Sequence, residues 1–459
     1  MKKTVVINVV GLSPACLTLD MPFLSQWADT ARMASIIPVL PAVTCSAQAT
    51  YLTGKYPHEH GIVANGWYFR DEAEVKFWKQ SNKLIQSPKI WDKARDLYPS
   101  FTCANMFWWY NMYSAADYSV TPRPNYLADG RKIPDCYSHP ADLRDRLQKA
   151  LGTFPLFNFW GPNTSIKSSR WIADASIMTD KIYDPTLTLI YLPHLDYNFQ
   201  RHGHNHSSIS KDLKEIDGVC KDLITYYEKK ADAQVIILSE YAITPVHNPI
   251  HLNRILRKKG YIAIREERGL ELLDAGESRA FAVADHQIAH IYIENPQDIP
   301  AVKELLASVE GVEMVLDEAG KEKYHLNHER SGELIAVANK DSWFTYYFWL
   351  EDKKAPDYAR MVDIHKKPGY DPVEMFLNPA IKFPMLTIGS KLLRKKLGFR
   401  MVMDVIPLDA SLVKGSHGRI TQDSHERPLI ISRQKQLLPK DTIEPTEVFD
   451  LILAHLQGV

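Results

Sequence analysis

Thr4-Val5-Val6-Ile7-Asn8-Val9 is an apolar, β-branched run that stops at Gly11. Such side chains are stiff and pack well on a pleated surface, and a run without polar alternation marks a strand buried on both faces. Residues 188–193 (TLIYLP) and 234–239 (QVIILS) read the same way. Helical stretches lie between them. The clearest, residues 207–230, opens with Ser207 and Ser208 and repeats Leu213, Ile216, Val219 and Leu223 at helical spacing. Buried strands alternating with helices predict an α/β fold, a mostly parallel sheet with helices on both faces. Sites in such sheets form in the loops at the carboxyl ends of the strands.

The rest of the chain is organised around this sheet. At 459 residues it is long enough for a large core with an added subdomain. Residues 289–293 (AHIYI) read as a strand and 301–309 (AVKELLASV) as a helix, which predicts a smaller inserted α+β unit. The expected division is a first core part over 1–265, the inserted subdomain over 266–352 and a second core part over 353–459. Residues 120–185 read as loop-rich, with Pro122, Pro124, Pro134, Pro140, Pro155 and Pro162. Lys+Arg and Asp+Glu both total 55, so the whole-chain charge carries no footprint for duplex nucleic acid or for an anionic membrane. No apolar stretch approaches the roughly 18–20 residues needed to span a bilayer. The cysteines are odd in number, five, with no CxxC pair. Reduced thiols and a cytoplasmic location are therefore expected. The basic start, Met1-Lys2-Lys3, is followed by a run too short for a signal sequence and broken by Asn8.

Two adjacent stretches carry chemistry. Pro41-Ala-Val-Thr44-Cys-Ser-Ala-Gln-Ala-Thr50-Tyr-Leu-Thr53-Gly54 sets a small hydroxyl in a turn before a helix, whose free N–H groups suit an oxyanion or phosphate. Thr44 as a plain helix cap is the alternative. Gly54-Lys-Tyr-Pro57-His-Glu-His60-Gly61-Ile62-Val-Ala-Asn65 follows directly. Together they resemble the alkaline phosphatase superfamily, in its type I phosphodiesterase/nucleotide pyrophosphatase branch. The resemblance implies an alkaline phosphatase-like core, Thr44 as nucleophile, Asn65 on a non-bridging phosphoryl oxygen, and His60 and Gly61 shaping the loop.

Later stations of the family pattern are present with altered residues. Val10 stands where a metal-binding Asp is expected. Asn8 points to the same face, roughly 6–7 Å deeper along the strand, as an oxygen ligand or a buried hydrogen-bonding group. In Tyr191-Leu-Pro193-His-Leu-Asp196-Tyr-Asn-Phe-Gln200-Arg-His202-Gly203 the Asp is kept and the His has become Gln200. His202, His204 and His206 are nearby substitutes. In Ser239-Glu240-Tyr241 the family's Asp-His pair has become Glu-Tyr, and His417-Gly418 matches the last metal-binding His. Asp363 and His365 point the same way on an extended segment and are read as structural.

The resemblance implies two metal sites. The nucleophile side has lost an Asp and a His. The second side keeps Asp196, Gln200 and His417. The expected metal set is Asp196, Gln200, His202, Glu240 and His417, for one or two ions (zinc, manganese or magnesium), with a metal-free site as the other outcome. The expected catalytic set is Thr44, Asn65, Glu240 as base and Tyr241 as charge stabiliser. Asn65, Gln200 and Trp67 are assigned to the substrate. The reading is a hydrolase of phosphodiesters, pyrophosphates or phosphomonoesters acting on a small phosphate-containing molecule, with no membrane and no nucleic-acid duplex as partner. The alternatives are a non-catalytic binder of an anionic ligand and a hydrolase of a phosphonate or another ester.

Overall fold

In chain order the first strands of the large sheet are β1 (Thr4–Val9), β2 (Arg32–Ile36), β3 (Cys103–Met106), β4 (Tyr118–Pro122), β5 (Cys136–His139), β6 (Leu187–Leu192) and β7 (Gln234–Leu238). A second sheet follows, with β8 (Ala280–Asp285), β9 (Ile288–Ile293), β10 (Val312–Leu316) and β11 (Leu334–Ala338); β12 (Leu429–Ser432) and β13 (Thr442–Ile443) return to the first. These come from a computed structural model that describes residues 1–129, 131–229 and 233–458. Lys230, the end of the expected long helix, and Val459 lie outside the described residues.

The large sheet has the order β13-β2-β12-β7-β1-β6-β3-β4-β5. Its centre is parallel: β1 pairs with β6 and β7, and β3 joins β6 and β4. The antiparallel pairs are β7–β12, β2–β12 and β4–β5. All residues of β1 and β6 are buried, so both faces of the sheet are covered. The register sets Asn8 level with Tyr191 on one side and Leu238 on the other. Three strands therefore end together, and the residues that follow them meet. At the end of β1 the chain turns at Gly11, whose φ of +77° is open to glycine and strained for other residues.

The helices used below are α1 (Thr44–Thr53), α2 (Ala141–Leu151), α3 (Ile166–Tyr183), α4 (His194–His202), α5 (Ser207–Lys229), α6 (Ile299–Ala307), α7 (Pro384–Lys396) and α8 (Glu447–Gln457). α3 packs on β3 and β6, α5 on β7, and α8 on β1. The loop-rich expectation for 120–185 is corrected, because α2 and α3 both lie there. The prolines stand at the ends of elements or between them: Pro122 ends β4, Pro140 caps α2, and Pro155 and Pro162 precede α3. They punctuate helices rather than break them. β8-β9-β11-β10 form a four-stranded antiparallel sheet with α6 packed against β10 and β11. The next strand of the large sheet is β12. The residues between hold an aromatic cluster that includes Tyr346, Tyr347, Phe348 and Trp349. All five cysteines are buried and free.

Candidate active site

Thr44 is the first residue of α1, and its neighbours come from the three strand ends. Its hydroxyl oxygen lies 3.1 Å from the Tyr241 hydroxyl, three residues past β7 in the turn after Leu238. The backbone N–H of Cys45 donates to the Asn65 side-chain oxygen at 2.9 Å. Asn65 is held from its other end by Asp285, which accepts from its backbone N–H at 2.8 Å and its amide nitrogen at 3.1 Å. His60 bonds Thr50 and the backbone of Ile62, both at 3.0 Å, and so shapes the loop that delivers Asn65.

Glu240 is buried beneath Thr44. Its Oε1 accepts from Asn8 Nδ2 and from Gln48 Nε2, each at 2.5 Å. Gln48 is fixed in turn by the Trp109 backbone N–H, which donates to its side-chain oxygen at 2.7 Å. Asn8 thus serves as a hydrogen-bond donor within the core. Val10 is wholly buried in the apolar core and supplies no ligand atom. Glu240 Oε2 is buried with no hydrogen-bond partner. Burial raises its carboxyl to about 8, against the pull of Gln48, Asn8 and the nearby Thr44 hydroxyl.

Asp196 and Gln200 sit one turn apart on α4 and face the same side. Asp196 Oδ1 lies 3.5 Å from the Tyr241 hydroxyl and 3.9 Å from His417 Nε2. Gln200 is engaged with the Tyr370 hydroxyl at 3.2 Å. His417 Nδ1 donates to the Ala42 carbonyl at 2.7 Å. That bond leaves Nε2 with its lone pair, buried and without a hydrogen-bond partner. Burial lowers His417 to about 3 and raises Asp196 and Asp285 each to about 7. Near pH 7 Glu240 is therefore largely protonated, Asp196 and Asp285 are about half so, and His417 is neutral.

Four rings form a column across the site. Tyr241 stacks on His417 with centroids 3.5 Å apart, His417 meets His286 at 3.6 Å, and His286 meets Tyr370 at 3.7 Å. Asp285 ends β8 and His286 opens the β8–β9 turn, so the smaller sheet completes the site. A narrow cleft of about 10 Å³, room for little more than one water, reaches this column, lined by Tyr241, His417, Gln287, Thr244, Arg419 and Glu426 among others. Thr44 does not line it; Tyr241 does, and its hydroxyl meets Thr44.

Thr44, Asn65, Asp196, Gln200, Glu240, Tyr241 and His417 are thus brought together. Trp67 is 2% exposed, packed between Phe69 and the Arg330 guanidinium, and presents no open face to a ligand. His202 stacks on His206 at 4.2 Å and faces the α5 side, where the Asp212 charge acts on it. His204 bonds the Ile243 carbonyl. Among the described residues, the three acidic or imidazole ligand atoms close enough to share an ion are those of His194, Asp212 and Glu215, between α4 and α5. The family's nucleophile-side metal set does not fit: Val10 and Tyr241 replace two ligands, and Glu240 Oε1 is taken by two amides. Gln48, Asp285, His286 and Tyr370 escaped the sequence reading. Gln48 alone left a signal, since it follows Thr44 by one helical turn.

Residues 4–371 match the family model described as type I phosphodiesterase/nucleotide pyrophosphatase. An uncharacterized pyrophosphatase/phosphodiesterase of the fission yeast Schizosaccharomyces pombe is 24% identical over 218 residues, 46% of this chain and 38% of that protein, so the chain spans well under half of the curated relative it matches. Among solved structures, murine ectonucleotide pyrophosphatase/phosphodiesterase 5, as an inactive threonine-to-alanine variant with AMP, superposes with a TM-score of 0.59 at 13% identity, covering 100% of this chain and 95% of that one. Phosphonoacetate hydrolase from Sinorhizobium meliloti with phosphonoacetate gives 0.61 at 13% identity, over 99% and 96%. At these identities the structural likeness establishes the fold.

Proposed function

This chain belongs to the type I phosphodiesterase/nucleotide pyrophosphatase family, and on that premise we propose that it hydrolyses a phosphoester, pyrophosphate or phosphonate bond in a small molecule, with Thr44 as nucleophile and Glu240 as its base. The observation that carries this reading is the position of Thr44. It opens a helix, it stands beside a buried carboxylate whose Oε2 is unpaired, and it meets a phenol. The ionised fraction of Glu240, which grows as pH rises toward about 8, supplies the base: its Oε2 takes the Thr44 proton as the Oγ1–P bond forms and the bond to the leaving oxygen breaks. The leaving oxygen keeps the electron pair and takes a proton from solvent. Water then displaces Thr44 from phosphorus and releases its proton to solvent, while Glu240 returns the proton it holds to Oγ1. The α1 N-terminus, the Tyr241 hydroxyl and the second amide N–H of Asn65 face the developing charge.

Metal enters this reading on one side only. Asp196, Gln200 and His417 would hold a single divalent ion, which would supply Lewis-acid polarisation of a phosphoryl oxygen. The unpartnered His417 Nε2, 3.9 Å from Asp196, has the donor character for it.

A second reading, a binder of an anionic ligand without turnover, is favoured by the near-complete burial of Thr44 (2% exposed) behind Tyr241. Turnover of chromogenic phosphodiester, phosphomonoester and phosphonate substrates separates the two. Thr44→Ala is expected to lower it at least about a hundredfold, the scale of losing a nucleophile–base pair. Turnover unchanged in Thr44→Ala sinks the nucleophile assignment. Anion binding without turnover in the parent protein favours the binder.

A further inference from the structure

Helix α7 is mounted with its apolar side outward. Pro384, Thr387, Ile388 and Lys391 form one helical stripe and are the partly buried residues of the helix, so this is the side turned to the protein. The opposite stripe carries Met385, Leu386, Leu392 and Leu393, all exposed, Leu386 at 72%. A surface helix of a globular protein ordinarily does the reverse and buries its apolar stripe. The outward face is extended at both ends by Phe383 and Phe399, exposed at 67% and 61%. Clustered exposed apolar surface of this kind marks an interaction site.

Charge indicates what the face meets. Between residues 375 and 403 the chain has no Asp or Glu, but it has Lys382, Lys391, Arg394, Lys395, Lys396 and Arg400. Among the described residues, Lys391 forms the one ion pair of this set, with Asp404 at 2.5 Å. The chain as a whole is formally neutral, so this is a local concentration of positive charge. It lies beyond residue 371, where the family match ends. A second copy of the chain is a poor partner, because a two-fold contact would set the same cations against one another. Thirteen residues are also too few to cross a bilayer. An apolar stripe flanked by cations suits the boundary between acyl chains and anionic headgroups, with lysine and arginine stems lying along the apolar surface.

We propose that this face docks on the surface of an anionic phospholipid bilayer, with α7 lying in the plane of the interface. This departs from the expectation of no membrane partner, which rested on whole-chain charge. The docking stands independently of what the candidate active site does.

The test is co-sedimentation of the full chain with phosphatidylcholine vesicles, with and without about 30% phosphatidylglycerol. Binding is expected to need the anionic lipid and to fall in about 0.5 M salt. The double variant Leu386→Glu/Leu393→Glu is expected to weaken partitioning about tenfold or more with an unchanged Tm, since both side chains are exposed in the free protein. No binding at any anionic lipid content overturns the proposal, as does binding undiminished in the variant. A concentration-dependent dimer in light scattering, lost in the variant and without vesicle binding, assigns the face to a second copy instead and equally overturns it.

Discussion

The carboxylate of Glu240 accepts two amide donors on one oxygen and none on the other, in a site without a buried cation beside it. Its raised pKa has a consequence for stability. In the unfolded chain the carboxyl ionises near its ordinary 4.5, whereas the folded chain keeps the proton to about 8. The folded state therefore binds more protons across that interval, and stability falls as pH rises through it. Asp196 and Asp285 act in the same direction up to about 7. The buried histidines, His417 among them, oppose this only below their ordinary 6.5. From pH 6.5 to about 8 the acids act alone. The unfolding free energy should drop there by an amount on the order of 2 kcal/mol, and Glu240→Gln, which cannot ionise, should flatten the drop. Chemical denaturation at the two ends of the window measures it, and a flat profile in the parent protein would contradict a largely protonated Glu240. Thr44, Asn65, Asp196 and His417 were nameable from the sequence because each sits in a short fixed-spacing motif. Asp285 was not, because it lies 220 residues from the Asn65 it holds.

Among the elements, the strand ends of β1, β6 and β7 carry the site, and the segment leading to Tyr370 closes it. That segment is anchored by Lys367, buried between Asp371 at 2.6 Å and Glu374 at 2.8 Å. Glu374 also accepts from the Trp160 indole N–H at 2.6 Å. Against the opposing effect of burial, the two carboxylates raise the Lys367 pKa; take away the cation and two acids are left facing each other in a dry interior. Lys367→Met should cost about 3–5 kcal/mol, seen as a large fall in Tm. A loss below about 1 kcal/mol would mean that the segment is held by the aromatic column instead. The buried strands were legible because an unbroken apolar run has one stable place in an α/β protein. α2 and α3 were obscured by the prolines around them, which mark boundaries as readily as loops. α1 ends at Gly54, whose φ of +66° is the left-handed stop of a helix.

At the scale of the whole molecule, four altered positions from three strand ends decide the metal question together. Val10 follows β1, Gln200 lies on the helix after β6, and Glu240 and Tyr241 follow β7. Val10→Asp, Gln200→His, Glu240→Asp and Tyr241→His combined restore the ligand types that the family resemblance implies. The variant should gain about one to two equivalents of zinc over the parent protein, by elemental mass spectrometry. Taking the difference removes any ion held by His194, Asp212 and Glu215. No gain would mean that the loops, not only the side chains, have moved away from a metal geometry. By itself the sequence determined the α/β class and the family, and named the segments around Thr44, Asn65, Asp196, Glu240 and His417 as candidates, because strand hydrophobicity and motif spacing are local properties that survive substitution. Tertiary structure alone decided that Gln48 and Asn8 bind Glu240, that the β8–β9 turn enters the site, that Trp67 is shut inside, and that α7 faces outward. Each of these depends on which distant surfaces come into contact, and neither a composition nor a period along one chain encodes that.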